Sequence, residues 1–470
     1  MLKNWRFLLL LALILGTFLV IRSESGSKPT ASLAHPPGSP PTYYHDIAPI
    51  IAQHCLTCHT AGGIGTVALD TPELAIENSA KIALTAAVHD MPPWMPGPES
   101  PTMLHERKLT DDEINLLVDW ARADAPLGDP SEATEIIPET IPSIRQDVVL
   151  TMPAYTPDEN LRDDYRCFLI DPQIAEDRYV TAYTVQPGQP SEVHHVLLYQ
   201  IEGWGRAQAE RRDAQDEGLG WQCFGGPDVA GVDGGLENSI GSWTPGTFPT
   251  EFPEGTGIRL IGGGLIVMQV HYNLSAGARP DQTSAILQLA PTGAAIQPLT
   301  TYSLYAPVEI PCPADATNPA CDRATSLKQV FEQTGRGAGG DFLSMCHRSL
   351  DDYLHQDASH ITSTCEYPVP YDLEVISVLG HMHLRGKSIR IESNPDETDG
   401  QVILDIPDWD FHWQGGYILQ NPIELKHGDT VRITCIWDNT HGDNLRYIFW
   451  GEGTEDEMCL GAVITRQPAR

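Results

Sequence analysis

Leu265-Ile266-Val267-Met268-Gln269-Val270-His271-Tyr272 reads as a β-strand, eight positions of which only Gln269 and His271 break an apolar and aromatic run. Residues two apart on a strand share a face, so Gln269 and His271 are neighbours. Polar side chains on such a strand are costly unless partnered, and a ligand role for His271 is a reasonable account of it. Working outward, short β-branched and aromatic runs punctuated by Gly, Pro, Asn and Asp recur at 178–185, 193–201, 373–379, 387–392, 429–437 and 447–450. Only 327–333 reads as helix among them. From 146 onward the chain is all-β sandwich material, expected as two domains, 146–300 and 301–470.

The texture before residue 128 differs. Residues 47–54 form a short apolar helical pattern that leads into Cys55-Leu56-Thr57-Cys58-His59, the C-x-x-C-H sequence of covalent haem c attachment. Alanines and leucines at helical spacing follow at 73–89, and Thr110-Asp111-Asp112-Glu113 is a capping box opening a helix with Ile114, Leu117, Trp120 and Ala121 on one face. Three helices around this motif predict a small all-α cytochrome c domain over 43–127, with one covalent haem. His59 is then one axial ligand. Met91, in Met91-Pro92-Pro93-Trp94-Met95, is chosen over Met95 as the other, with His54 and His89 as weaker rivals.

The chain has 470 residues, with 63 acidic against 29 basic and a net charge of -34. That balance disfavours nucleic acid and anionic membrane surfaces as partners. Lys3 and Arg6 precede an unbroken apolar stretch over 7–21, an export signal that is short for a bilayer span of ~20 residues. Residues 1–22 are therefore a cleaved signal or a membrane anchor, and the remainder is expected in the periplasm or on the extracytoplasmic face. Residues 23–42 and 128–145 read as linkers. Setting Cys55 and Cys58 aside leaves eight of ten cysteines, an even number that in an exported chain reads as a disulfide framework of open connectivity.

Six further potential ligands are His194, His195, His271, His381, His383 and Met458. A thioether is a soft ligand suited to Cu(I), which points the set toward copper rather than zinc. His381 and His383, two apart on a strand, converge without distortion. Adjacent His194 and His195 point to opposite faces of a regular strand, so binding one metal there requires a bulge, a strand end or different ring nitrogens.

Four stretches now occur in one order: Glu192-Val193-His194-His195-Val196-Leu197-Leu198-Tyr199, Met268-Gln269-Val270-His271-Tyr272, Gly380-His381-Met382-His383-Leu384-Arg385-Gly386-Lys387 and Asp456-Glu457-Met458-Cys459. Together they resemble the copper type II, ascorbate-dependent monooxygenases, the family of peptidylglycine α-hydroxylating and dopamine β-monooxygenase, over roughly 146–470. The chain looks most like bacterial members with a fused N-terminal cytochrome. The resemblance implies two jelly-roll-like sandwiches, each presenting one copper across a cleft, hence two copper ions. His194, His195 and His271 would hold an electron-transfer copper; His381, His383 and Met458 would hold the oxygen-activating one. Disulfides Cys167–Cys223 and Cys435–Cys459 are implied as well.

In the peptidylglycine branch an Arg, an Asn and a Tyr anchor the substrate carboxylate at the places held here by Leu379, Leu460 and Ala462. The expectation is hydroxylation of a C–H bond of a small, more apolar, non-peptide substrate by dioxygen, with electrons arriving through the haem from a periplasmic donor or from ascorbate. The alternative from another class is a non-catalytic periplasmic copper-binding or electron-transfer protein. His347, His355 and His360 could shape a lid, whereas His412, His427 and His441 read as surface residues. Asn273-Leu274-Ser275 is a sequon only in a glycosylating host.

Overall fold

A computed structural model describes residues 39–468 apart from 64, 134–142, 162, 217, 224–225, 228, 230–237, 275–276, 335–341, 442–444 and 452–454. The expected signal or anchor over 1–22, the linker up to residue 38, most of the 128–145 linker and Ser275 of the sequon lie outside the described residues. No helix among the described residues is long and apolar enough to cross a membrane.

The chain after Thr42 turns into the helix Ala48–His54. The helical pattern at 73–89 is two pieces, Pro72–Glu77 and Ser79–Ala87, because the Asn78 amide turns back to donate to the Leu74 carbonyl at 2.8 Å. Thr110 and Glu113 complete the capping box of Asp111–Arg122 reciprocally. Leu117 and Trp120 on that helix are buried against Tyr43, Ile47, Ile50 and Ile51, giving this part its own apolar core.

The rest is β-sheet on β-sheet. A nine-stranded sheet runs Val148–Thr151, Ser284–Leu289, Arg178–Gln186, Thr256–Leu260, Gln297–Tyr305, Leu460–Arg466, Leu373–His381 and Gly416–Leu425, with Thr250–Glu251 paired to its third member. One half faces a five-stranded sheet in which Leu265–Asn273 lies between Asp163–Ile170 and Val193–Ile201. The other half faces a four-stranded sheet in which Thr430–Trp437 is central. The strict alternation in Thr430–Trp437 turns Val431, Ile433, Cys435 and Trp437 into one core, as period-two patterning requires. Two separate apolar cores result. The division expected near residue 300 falls inside Gln297–Tyr305, which pairs in parallel with Thr256–Leu260 and antiparallel with Leu460–Arg466 and so carries one sheet through both sandwiches.

Leu265–Asn273 is buried on both sides. Ile266, Met268, Val270 and Tyr272 enter the sandwich core, while Leu265 and Val267 face outward into a smaller cluster with Tyr199, Ile201 and Ala209. Ala209 belongs to the helix Arg206–Gln215, which the sequence reading did not anticipate; its mostly polar and charged residues carry little helical hydrophobic periodicity. The helix expected at 327–333 is present as Arg323–Thr334. Four disulfides form: Cys167–Cys223, Cys312–Cys321, Cys346–Cys365 and Cys435–Cys459. The first and last are the pairs implied by resemblance.

Candidate metal centre

The outward face of Leu265–Asn273 continues from Leu265 and Val267 to Gln269 and His271, and the neighbouring strand Val193–Ile201 sets His195 directly opposite His271. The register slips between Val193 and His195, a bulge that lets adjacent histidines turn to the same side. Candidate ligand atoms of His194, His195 and His271 all lie within 4.8 Å of one another. The Nδ1 atoms of His195 and His271 are 3.4 Å apart. His271 Nε2 lies 3.0 Å from Asp163 Oδ1; an ionised carboxylate only accepts, so Nε2 carries the proton and the Nδ1 lone pair faces the cluster. His194 Nδ1 is buried with no hydrogen-bond partner. Tyr165 stacks on His271 with ring centroids 4.1 Å apart and planes 7° from parallel.

Burial, then the neighbouring His271 and His412, lower the His194 imidazole to about 4. Burial followed by His271, His194 and His381 holds His195 well below its ordinary value. Burial also lowers His271, against the opposing pull of Asp163. The three rings are thus neutral near pH 7 and can offer lone pairs to a metal ion.

A second pair sits at the end of Leu373–His381. The rings of His381 and His383 lie 5.0 Å apart and nearly perpendicular. His383 Nδ1 donates to the Asp456 carbonyl at 3.1 Å, and His381 Nδ1 donates to Gln414 Oε1, so Nε2 of each ring is the unprotonated nitrogen. Burial, with His383 adding, lowers His381 to about 3. Met458 joins them because Leu460 pairs with His381 across two strands, which brings the residues just before Leu460 alongside the pair. Behind them Glu457, fully buried, accepts from the backbone N–H of His383, Arg385 and Met458 and from the Trp437 indole.

A single cavity of about 120 Å³ joins the two groups of histidines, with His195 and Gln269 on one side and His381, His383 and Met458 on the other. Leu197, Trp243, Leu379, Phe411 and Leu460 supply apolar wall. Leu379 and Leu460 stand in this wall, whereas Ala462 is buried in the strand behind it.

A further cavity of about 350 Å³ lies beside Cys55, Cys58 and His59 and is lined by Val67, Leu69, Ile82, Met91, Leu109, Leu117 and Trp413 among others. Cys55 and Cys58 are the free cysteines, although they stand three positions apart. His59 Nδ1 donates to the Val67 carbonyl at 2.8 Å, leaving its Nε2 lone pair unused. Met91 lines this cavity. Met95 instead belongs to the core of the second sandwich, where its sulfur accepts from the Asp410 N–H at 3.4 Å. His54 is engaged with Glu113 at 3.2 Å.

Residues 352–464 match the family model for copper type II ascorbate-dependent monooxygenase, C-terminal domain. The comparisons support that family. DBH-like monooxygenase protein 1 of Gallus gallus is 27% identical over 95 residues, 20% of this chain and 15% of the relative. DBH-like monooxygenase protein 2 of Mus musculus is 32% identical over 89 residues, 19% of this chain and 14% of the relative. Tyramine beta-hydroxylase of Caenorhabditis briggsae is 20% identical over 289 residues, 59% of this chain and 40% of the relative. The chain therefore spans less than half the length of the relatives it matches. Among solved structures, a fucolectin from striped bass serum aligns over 66% of this chain and 85% of its own, at 12% identity and a TM-score of 0.16, a value that carries no argument about fold.

Sequence reasoning missed Asp163, Tyr165, Gln414 and Glu457. It read His412 as a surface residue, and the His412 side chain is exposed, bonded to Asp410. His347, His355 and His360 line neither cavity.

Proposed function

We propose that this chain is a copper-dependent monooxygenase that uses dioxygen to hydroxylate a C–H bond of a small, apolar, non-peptide substrate. The observation that carries this reading is the shared cavity: two clusters of imidazoles, one joined by a thioether, meet across a largely apolar space. His194, His195 and His271 would hold one copper ion, and the orphaned Nδ1 of His194 is the kind of buried atom a metal would satisfy. His381, His383 and Met458 would hold the second. When bound, the coppers would supply one electron each and the place where dioxygen is reduced.

The protein's own contribution is orientation and exclusion of water. Asp163, Gln414 and the Asp456 carbonyl fix the tautomers of His271, His381 and His383. Leu379 and Leu460 favour an apolar substrate over one bearing a carboxylate, since nothing on those two side chains could pair with a charge.

Residues 43–127 are read as a cytochrome c domain supplying electrons, with 146–300 and 301–470 as the two monooxygenase domains. The unpaired Cys55 and Cys58, the Nε2 lone pair of His59 and the thioether of Met91 around one largely apolar cavity suit a covalently held haem with His and Met axial ligands. Four disulfides suit an exported chain, and the periplasm is the compartment proposed.

The test is metal content per haem in protein matured for haem c and loaded with copper, beside Met458→Ile. Two coppers per haem, an altered Cu(I) site in Met458→Ile and substrate-dependent oxygen uptake are expected. Two coppers with no oxygen consumption across a substrate screen would favour a copper electron-transfer protein instead. Zinc, or no firmly held metal, would overturn both readings.

A further inference from the structure

The cavity beside Cys55, Cys58 and His59 is closed by more than the helical part of the chain. Gly246 and Phe248, on the loop after Ser239–Trp243, and Trp413 of the turn Phe411–Trp413 line it too. Besides histidines, three charged side chains stand in that lining among the described residues: Lys81, Glu106 and Arg107. Lys81 is exposed. Glu106 is already engaged, by Lys108 at 2.5 Å and by the Met103 N–H, which donates to it at 3.0 Å. Arg107 is half-buried, and among the described residues its guanidinium has neither a carboxylate nor a hydrogen-bond acceptor.

The guanidinium stands against the first sandwich, beside the attachment cysteine. A methyl group on Gly246 would lie 2.5 Å from Arg107 Nη1 and 3.0 Å from Cys58 Sγ, so the cation and the sulfur close on the same point. Gly246, at φ +78°, has no side chain to fill that room. Burial pulls Arg107 below its ordinary value, yet a guanidinium keeps its proton in a protein. A cation held from water without a partner is costly. Haem, which suits this cavity, would answer it with two carboxylates and an iron whose charge changes by one.

Resting on the reading of residues 43–127 as a haem c domain, we propose that Arg107 sets the reduction potential of that haem, its charge favouring the ferrous state. Reduction adds one electron to the iron, from the periplasmic donor or ascorbate, with no bond made or broken. Ferric haem carries one positive charge more than ferrous haem, so a cation in the same water-poor cavity opposes oxidation. Pairing of the guanidinium with a haem carboxylate has the same sign, because it neutralises an anion that would otherwise favour the ferric form. Arg107 thus acts through its charge, as neither an axial ligand nor a substrate contact, and it decides which donors can fill the haem.

Full-length protein, matured for haem c and loaded with copper, would be titrated spectroelectrochemically on the haem α-band. Arg107→Met is expected to lower the ferrous-to-ferric ratio at fixed potential by about tenfold, a fall of about 59 mV in midpoint. Arg107→Lys, which keeps the charge, should stay close to the parent. Haem content and α-band position should match the parent in both, and the fall should persist at high salt, which screens a solvated surface cation but not one held in the cavity. Should Arg107→Met fail to mature, Arg107→Gln is read in its place. An unchanged midpoint, an equal fall in Arg107→Lys, or a fall that vanishes at high salt would overturn the proposal while leaving the haem in place. A parent that takes no covalent haem would overturn the haem reading and the proposal together.

Discussion

Glu457 offers the sharpest test of how the second histidine pair is held. Its carboxylate is fully buried and receives N–H donors from His383 at 2.9 Å, Trp437 at 3.1 Å and Met458 at 3.3 Å, with Arg385 on the other oxygen. Burial pushes the group up to about 7 even though four donors pull it down, so the site places more weight on accepting hydrogen bonds than on carrying charge. Glu457→Ala removes the acceptor and strands these donors in a place with little room for water. At 1–3 kcal/mol for each well-made bond, partly offset by relaxation, the loss should be about 3–5 kcal/mol. For a domain of this size that is roughly 10 °C in melting temperature. Glu457→Gln keeps one acceptor oxygen but turns an amide N–H₂ toward a donor, and should lose about 1–2 kcal/mol. Thermal unfolding of the metal-free protein measures this, and Cu(I) titration measures its consequence. Copper should weaken at the His381, His383 and Met458 group while the triple-histidine cluster is spared. An alanine variant within about 1 kcal/mol of the parent, or equal weakening at both clusters, would refute the reasoning.

Three other perturbations are worth making. Asp163→Ala frees the His271 Nε2–H, so the ring can flip its tautomer; copper affinity of the triple-histidine cluster should fall by about 10–100-fold in a competitive chelator titration, with the other site unchanged. A methyl group on Gly65 would lie 2.5 Å from His59 Nδ1, so Gly65→Ala should displace that imidazole, and the visible spectrum of the matured protein should show a weakened or altered axial ligand. Arg166, paired at 2.8 Å, holds Asp216 below its ordinary value. A depressed carboxylate stabilises the fold above its unfolded value and loses that contribution as pH falls through the folded one, so Asp216→Asn should cost up to about 1 kcal/mol at pH 6 and almost nothing near pH 2 in urea unfolding.

The strands were legible because their hydrophobic period is local: 193–201 was bounded to the residue as Val193–Ile201, and 373–379 fell two residues short because Gly380 and His381 carry no strand signature. The capping box was equally local, two side chains and two N–H groups within one turn. The convergence of His381 and His383 was visible as a spacing of two. The need for a bulge at His194 and His195 was visible also, but whether the chain supplied one was not, since the slip arises from pairing with a strand some 70 residues away.

What tertiary structure alone decided was which distant groups complete each cluster. Asp163 looks like any strand-edge carboxylate until pairing of Asp163–Ile170 with Leu265–Asn273 brings it to His271. Glu457 reads as one more charge in an acidic loop until burial beside Trp437 makes it an acceptor for four donors. Met91 and Met95 are chemically alike and four residues apart, and they separate because one lines the cysteine cavity while the other packs into the second sandwich. Sequence determines the residues that must be buried and the faces they share, because those depend on backbone period. It does not determine what meets them there, because that depends on the register of strands far apart in the chain, to which no local pattern is sensitive.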